Sequence, residues 1–192
     1  MSNLEIERKW LVDRIPYALE ELECLDIEQG YLNSSPTVRV RKENDTYYLT
    51  YKGARGTGAN TGMVHTEYNL PLDRIAYEHM KEKCDGILLH KKRYLIPIEN
   101  GLKIELDIFE GDIAPLKLAE VEFESEEEAL RFEAPEWFGE DVTGDFHYKN
   151  VYLCKAMKTE GEGRRPSPFA AGMRSAGSRA YAQSPAAPAR EL

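Results

Sequence analysis

Leu4-Glu5-Ile6-Glu7-Arg8-Lys9-Trp10-Leu11-Val12 opens the chain with apolar and charged residues in alternation. Successive side chains of a strand point to opposite faces, so Glu5, Glu7 and Lys9 share one face and Leu4, Ile6 and Trp10 share the other. Two carboxylates at that spacing can share a divalent cation. A lysine beyond them can hold an anion that the cation also binds. The same alternation also describes a half-solvated strand of an antiparallel sheet. What separates the two readings is whether the pattern returns along the chain.

It returns in nearly every strand-like segment. Val38-Arg39-Val40-Arg41 puts two guanidiniums on one face, and Tyr48, Thr50 and Lys52 share a face of the next segment. Glu67 stands between His65 and Asn69 in VHTEYNL, and Lys91 and Arg93 share a face in HKKRYLIP. Glu105 and Asp107 do so in LKIELDIF, and Glu120 and Glu122 in AEVEF. Open surface strands mix Thr, Ser and Gln with charge and seldom repeat charged pairs at a spacing of two. If the sheet closes, these faces converge on one lumen. Such a lumen is costly unless its charges pair with one another or with bound ions. Its expected contents are a polyanion and a metal. Lys9, Arg39, Arg41, Lys52, Lys91 and Arg93 would grip phosphate oxygens, arginine often bidentately. Glu5, Glu7, Asp107, Glu120 and Glu122 would hold a hard cation through oxygen.

Composition narrows the classes. The 192 residues are 31% charged, with a formal net charge of -9. That balance argues against a nucleic-acid surface, which needs a basic face. No apolar run approaches the length needed to cross a bilayer, and the N-terminus has no signal-peptide pattern. Cys24, Cys84 and Cys154 are widely spaced with no Cys-x-x-Cys pair, which fits a reducing cytoplasm and argues against a cysteine zinc site. Without a His/Cys cluster, oxygen-seeking ions such as Mg²⁺ or Mn²⁺ suit the sequence better than zinc.

Residues 1–158 read as one globular domain, mainly β with flanking helices. Strands are expected near 4–12, 26–34, 37–43, 46–53, 63–71, 87–98, 102–110 and 116–124. Asn44-Asp45 and Asn100-Gly101 mark hairpin turns between such runs. Helices are expected near 15–23, 73–84, 125–132 and 146–157, with Asp73 as an N-cap and Ser125 opening a capping box. The Gly53–Gly62 stretch, GARGTGANTG, lacks the ending of a P-loop and reads as a mobile connection. Residues 159–192 lose apolar periodicity and turn to Pro, Ala, Ser and Gly, which predicts a disordered tail. Residues 160–192 carry +2, leaving -11 on the body. Tyr31, Tyr47, Tyr48, Trp10 and Trp137 read as packing residues.

The ordered set of motifs resembles the CYTH domain, the triphosphate tunnel metalloenzyme superfamily. The resemblance begins with Glu5-x-Glu7-x-Lys9 and continues through Gln29-Gly30-Tyr31-Leu32, Thr37-Val38-Arg39-Val40-Arg41 and Tyr48-Leu49-Thr50-Tyr51-Lys52-Gly53. It runs on through Lys91-Lys92-Arg93-Tyr94, Glu105-Leu106-Asp107, Ala119-Glu120-Val121-Glu122-Phe123, Trp137-Phe138-Gly139, Val142-Thr143 and Tyr148-Lys149-Asn150. It implies a closed antiparallel eight-stranded barrel forming a tunnel flanked by helices. It also implies divalent-metal-dependent hydrolysis of triphosphates, most simply inorganic triphosphate, in which Lys9, Glu67 and Asp107 act in the reaction. Thiamine triphosphatase and adenylyl cyclase occur on the same fold, and a polyphosphate- or nucleotide-binding module is the non-enzyme alternative. The expected partner is a small triphosphate, with no nucleic acid and no membrane; a homodimer stays open. Related sequences often read Arg-x-Glu-x-Glu in the fifth strand, whereas this chain has His65-Thr66-Glu67-Tyr68-Asn69. His65 would therefore hold substrate by a charged hydrogen bond only when protonated.

Overall fold

The computed structural model describes residues 4–54 and 64–160. Eight strands form it: β1 (Leu4–Leu11), β2 (Glu23–Ser34), β3 (Thr37–Glu43), β4 (Thr46–Ala54), β5 (Val64–Leu72), β6 (Asp85–Pro97), β7 (Lys103–Phe109) and β8 (Lys117–Glu122). They close into an antiparallel barrel in the order β1-β5-β4-β3-β2-β6-β7-β8. Three helices flank it: α1 (Arg74–Lys81), α2 (Glu126–Arg131) and α3 (Asn150–Glu160). The closed eight-stranded barrel expected above is the observed architecture. The Gly53–Gly62 connection and the 159–192 tail fall almost wholly outside the described residues.

The apolar face of each alternating strand points out of the barrel. Ile6 and Trp10 of β1, Ile96 of β6, Ile104 and Leu106 of β7, and Ala119 and Val121 of β8 form one buried cluster with Phe123 and Ala129. The segment after α2 roofs this cluster. Trp10 meets the rings of Phe132 at 5.6 Å and Phe138 at 4.9 Å. On the other side Leu153 and Cys154 of α3 are buried, as are Ile27 and Leu89 of the adjoining sheet. The hydrophobic core therefore lies between the barrel wall and its coverings, which leaves the lumen to the charged face.

Turn and cap chemistry fixes several boundaries. Asn44 takes a positive φ of 50° in the two-residue β3–β4 turn, and its side chain accepts a hydrogen bond from Asp26 N at 2.9 Å. Asn100 and Gly101 both take positive φ at the β6–β7 turn. Asp73 accepts from Ala76 N at 2.7 Å, and Ser125 accepts from Glu128 N at 3.1 Å, as capping residues do.

Two helix expectations fail. No helix spans 15–23; a short 3-10 turn at Leu19–Glu21 is followed by β2 from Glu23. The cause is tertiary. The 13-residue β6 needs a partner along its length, and Glu23 to Leu25 pair with Leu95 to Arg93. Leu19 and Leu22 pack on the Trp10 cluster instead of forming a helical stripe. The last helix begins at Asn150 and not at 146, because Asp145 caps a separate 3-10 turn at Phe146–Tyr148.

Strand β1 has a divided neighbourhood that matters for the site. On one edge Leu4 to Ile6 pair with β5. The continuing edge is filled by the segment at 139–143, where Gly139 N donates to Leu11 O, Leu11 N to Glu140 O and Val142 N to Lys9 O. Lys9 N donates to Thr143 Oγ1 at 3.0 Å. A Cβ at Gly139 would stand 3.0 Å from Leu11 O, so glycine permits the close approach. Arg8 locks the segment from outside through Asp141 at 2.6 Å.

Candidate active site

One cavity of about 270 Å³ opens in the barrel. Its wall carries Glu5, Glu7 and Lys9 of β1, Arg39 and Arg41 of β3, Lys52 of β4, His65 and Glu67 of β5, Arg93 of β6, and Glu120 and Glu122 of β8. Strand alternation and barrel closure place them there together. Register sets the neighbours: Lys9 faces Glu120, Glu7 faces Glu122, and Lys52 faces Glu67.

Most of these charges are paired. Lys9 Nζ lies 2.7 Å from Glu120 Oε1. Lys52 Nζ contacts Glu5 directly and lies 3.3 Å from Glu7 Oε1. Arg39 lies 3.7 Å from Glu67. Arg41 donates to Gln29 Oε1 at 3.2 Å and to the Tyr48 hydroxyl at 3.1 Å. Arg93 is a hub: it clamps both oxygens of Asp107 at 2.7 Å, reaches Glu120 at 2.5 Å and contacts Glu105.

Lys91 and Asp107 are not on the cavity wall. Both are fully buried and contact each other behind Arg93. Burial, with Arg93 next, pulls the Lys91 pKa down to about 8 against the opposing pull of Asp107.

The carboxylates divide electrostatically. Burial, and then Glu7, push Glu5 up to about 7 despite Lys52. Burial also works against ionisation of Glu7, but Lys52 and Lys9 outweigh it and hold Glu7 at about 2. Glu122 is raised by burial and by Glu105, and it has no ion-pair partner among the described residues. Glu120 opposes the same burial with Lys9, Arg93 and Lys91 and stays well below the ordinary range.

A divalent metal fits the chemistry of this donor set. The donors are carboxylate oxygens, which suit a hard cation. Glu5, Glu7 and Glu122 crowd negative charge that such an ion would relieve. As the side chains stand, no group of three His, Cys, Asp or Glu among the described residues is arranged to hold a metal. The ammonium of Lys52 sits between Glu5 and Glu7. Gathering those oxygens on a cation requires Lys52 to turn away from them.

Three features of the cavity were given no site role from the sequence, although Tyr31, Thr37 and Lys149 fall within the motifs quoted above. Tyr31 lines the cavity instead of serving only as packing, and its hydroxyl accepts from Gln29 Nε2 at 2.8 Å. Its place two residues after Gln29 on β2 was the available signal. The β2–β3 turn, Ser34 to Thr37, also lines the cavity. So does Lys149, carried there by the segment that follows 139–143. Lys149 has no ion-pair partner among the described residues, and burial together with Lys52 and Lys9 lowers its pKa. Period-two patterning cannot find it, because it comes from a connection and not from a strand.

A closed barrel whose lumen is lined by paired Arg, Lys and Glu belongs to a class of β-barrel with a charged tunnel, whose chemistry suits a small polyanion. The CYTH domain family model matches residues 3–149, and the chain belongs to that family. It is 39% identical over 157 residues to the inorganic triphosphatase of Nitrosomonas europaea, covering 80% of this chain and 98% of that protein. It is 35% identical over 153 residues to the inorganic triphosphatase of Acetivibrio thermocellus, covering 79% of this chain and 93% of the relative. A crystal structure described as an inorganic triphosphatase superposes with a TM-score of 0.58 at 36% identity, over 79% of this chain and 94% of that one.

Proposed function

We propose that this chain is a divalent-metal-dependent triphosphatase that converts inorganic triphosphate into pyrophosphate and phosphate. One observation carries the reading: Lys9, Arg39, Arg41, Lys52 and Arg93 converge with Glu5, Glu7, Glu67, Glu120 and Glu122 on a single cavity. The relatives named inorganic triphosphatases support the same activity. The cavity of about 270 Å³ is lined almost wholly by charged and polar side chains, which suits a small polyanion.

Arg39, Arg41 and Lys149 would grip phosphate oxygens, and Lys52 would join them on leaving Glu5 and Glu7. His65 stands on the same wall and adds a donor when protonated. Glu5, Glu7 and Glu122 would hold Mg²⁺ or Mn²⁺, which when bound supplies neutralisation of phosphate charge. Glu120 anchors Lys9 close to the cation site. Asp107 and Lys91 act from behind the wall by fixing Arg93. In the reaction a water oxygen bonds to the terminal phosphorus, the anhydride P–O bond breaks, and its electron pair stays on pyrophosphate. Glu67 accepts a hydrogen bond from that water and orients it. The proton leaves with product phosphate. Lys9 and the arginines stabilise charge gathering on the leaving oxygen.

The three cysteines are free thiols, which supports a reducing cytoplasmic setting. The test is a panel of inorganic triphosphate, ATP and thiamine triphosphate with Mg²⁺ and Mn²⁺, reading phosphate and cAMP. Inorganic triphosphate is expected to turn over fastest. A cAMP yield from ATP above its phosphate yield would decide for a cyclase, and faster turnover of thiamine triphosphate would reverse the substrate order. In the same assay Arg39→Ala and Arg41→Ala should each lose about tenfold or more in kcat/KM, from charge-assisted bonds worth about 1.5–3 kcal/mol. Lys117→Ala, whose ammonium donates to Asp13 O at 3.3 Å away from the cavity wall, should lose little.

A further inference from the structure

We infer that Asn69 is a positioning residue for this reaction: with Thr50 it clamps one oxygen of Glu67 so that the other alone serves the cavity. The inference rests on the triphosphatase reading and concerns how this chain works where its fifth strand has an amide in place of a second carboxylate. Thr50 of β4 and Asn69 of β5 are direct cross-strand partners. The Thr50 hydroxyl donates to Asn69 Oδ1 at 2.6 Å, and Asn69 Nδ2 donates to Glu67 Oε1 at 3.0 Å. Chemistry fixes the direction of this relay. A carboxylate oxygen needs a donor, so the NH₂ end of the amide must face Glu67. The remaining amide oxygen then needs a donor, which the Thr50 hydroxyl supplies. Thr50 is fully buried and cannot turn to water instead.

The relay leaves the two oxygens of Glu67 unequal. Oε1 is held. Oε2 is buried and accepts no hydrogen bond from the described residues; Arg39 NH2 at 3.7 Å and Lys52 Nζ at 4.0 Å are its nearby cations among them. Those cations cover Oε2 without bonding to it, and the turn of Lys52 away from Glu5 and Glu7 that a bound cation requires would open Oε2 to a ligand or a water. Glu67 lines the cavity, whereas Thr50 and Asn69 do not, so they act on the cavity only through Glu67. An aspartate at position 69 would keep the acceptor for Thr50 but face Glu67 Oε1 with an oxygen, turning the clamp into a repulsion. The amide is therefore matched to its place.

The test compares wild type with Asn69→Ala, the isosteric Asn69→Asp and Thr50→Val, measuring kcat and KM for inorganic triphosphate with saturating Mn²⁺, and melting temperature. Asn69→Ala should lower kcat about tenfold or more, the range typical of partners that orient an acting group, with KM within about twofold. Asn69→Asp should not rescue it, and Thr50→Val should fall in the same direction. Asn69→Ala strands the buried Thr50 hydroxyl and should melt below wild type, whereas Asn69→Asp keeps that acceptor and should melt closer to it, so kcat and KM are read well below both midpoints. Wild-type kcat in Asn69→Ala, full activity in Asn69→Asp, or a change confined to KM would overturn the positioning role. Inactivity of wild type itself towards triphosphate would instead overturn the triphosphatase reading.

Discussion

Glu5 and Glu7 stand two residues apart on one face of β1, yet their pKa values move in opposite directions. Glu5 holds its proton up to about pH 7, whereas Glu7 releases its own at about 2. For Glu5 the folded value lies above the ordinary 4.5, so folding favours its protonated form. The stability this brings is complete below pH 4.5 and is lost as pH rises through 7. Glu5→Gln cannot ionise and escapes that loss. In EDTA, the melting temperature of Glu5→Gln minus that of wild type should be larger at pH 8 than at pH 5, reflecting roughly 1–3 kcal/mol. A gap independent of pH would show that Glu5 is not crowded by burial and Glu7. At this scale the sequence was informative because spacing of two maps directly onto one face of a strand. It could not show that Lys91 and Asp107 lie behind Arg93, since parity gives a face but not a depth.

At the scale of elements, β1 depends on two different partners along one edge, and α3 depends on a glycine. Gly86, at the start of β6, has φ of +80°, and a Cβ there would stand 2.4 Å from Cys154 O. Gly86→Ala should therefore cost about 2 kcal/mol or more, from left-handed strain plus displacement of α3. Thermal or urea denaturation measures this, and an unchanged midpoint would mean that α3 accommodates the methyl group. Because the segment at 142–151 brings Lys149 to the cavity, the same variant should also weaken triphosphate use. The strands were legible from alternation, and two helix starts from their caps. The helix expected at 15–23 was not formed because the long β6 recruits residues 23–25, a demand set by a strand some 70 residues away.

At the scale of the whole molecule, the apolar core sits outside the barrel wall and the charges sit inside. That inversion explains why a strongly acidic chain can bury ten polar or charged side chains among the described residues. Most lumen charges are offset by a neighbour, with Glu122 and Lys149 the exceptions among the described residues, and in the proposed function a triphosphate with its metal would exchange one set of partners for another. Residues 161–192 lie outside the described fold, and their composition predicts that removing them leaves melting temperature and turnover unchanged. A large loss of either on truncation after Glu160 would assign that segment a role in the domain. In the proposed function the charged lumen acts with a metal on triphosphate. The most direct test of this function is phosphorus NMR of inorganic triphosphate incubated with the full chain in Mg²⁺ or Mn²⁺, in EDTA, and with Glu7→Gln in the same metal. Equimolar pyrophosphate and phosphate are expected with metal, none in EDTA, and a rate about 100-fold lower for Glu7→Gln. Intact triphosphate in the presence of metal, equal hydrolysis in EDTA, or a wild-type rate in Glu7→Gln would contradict it.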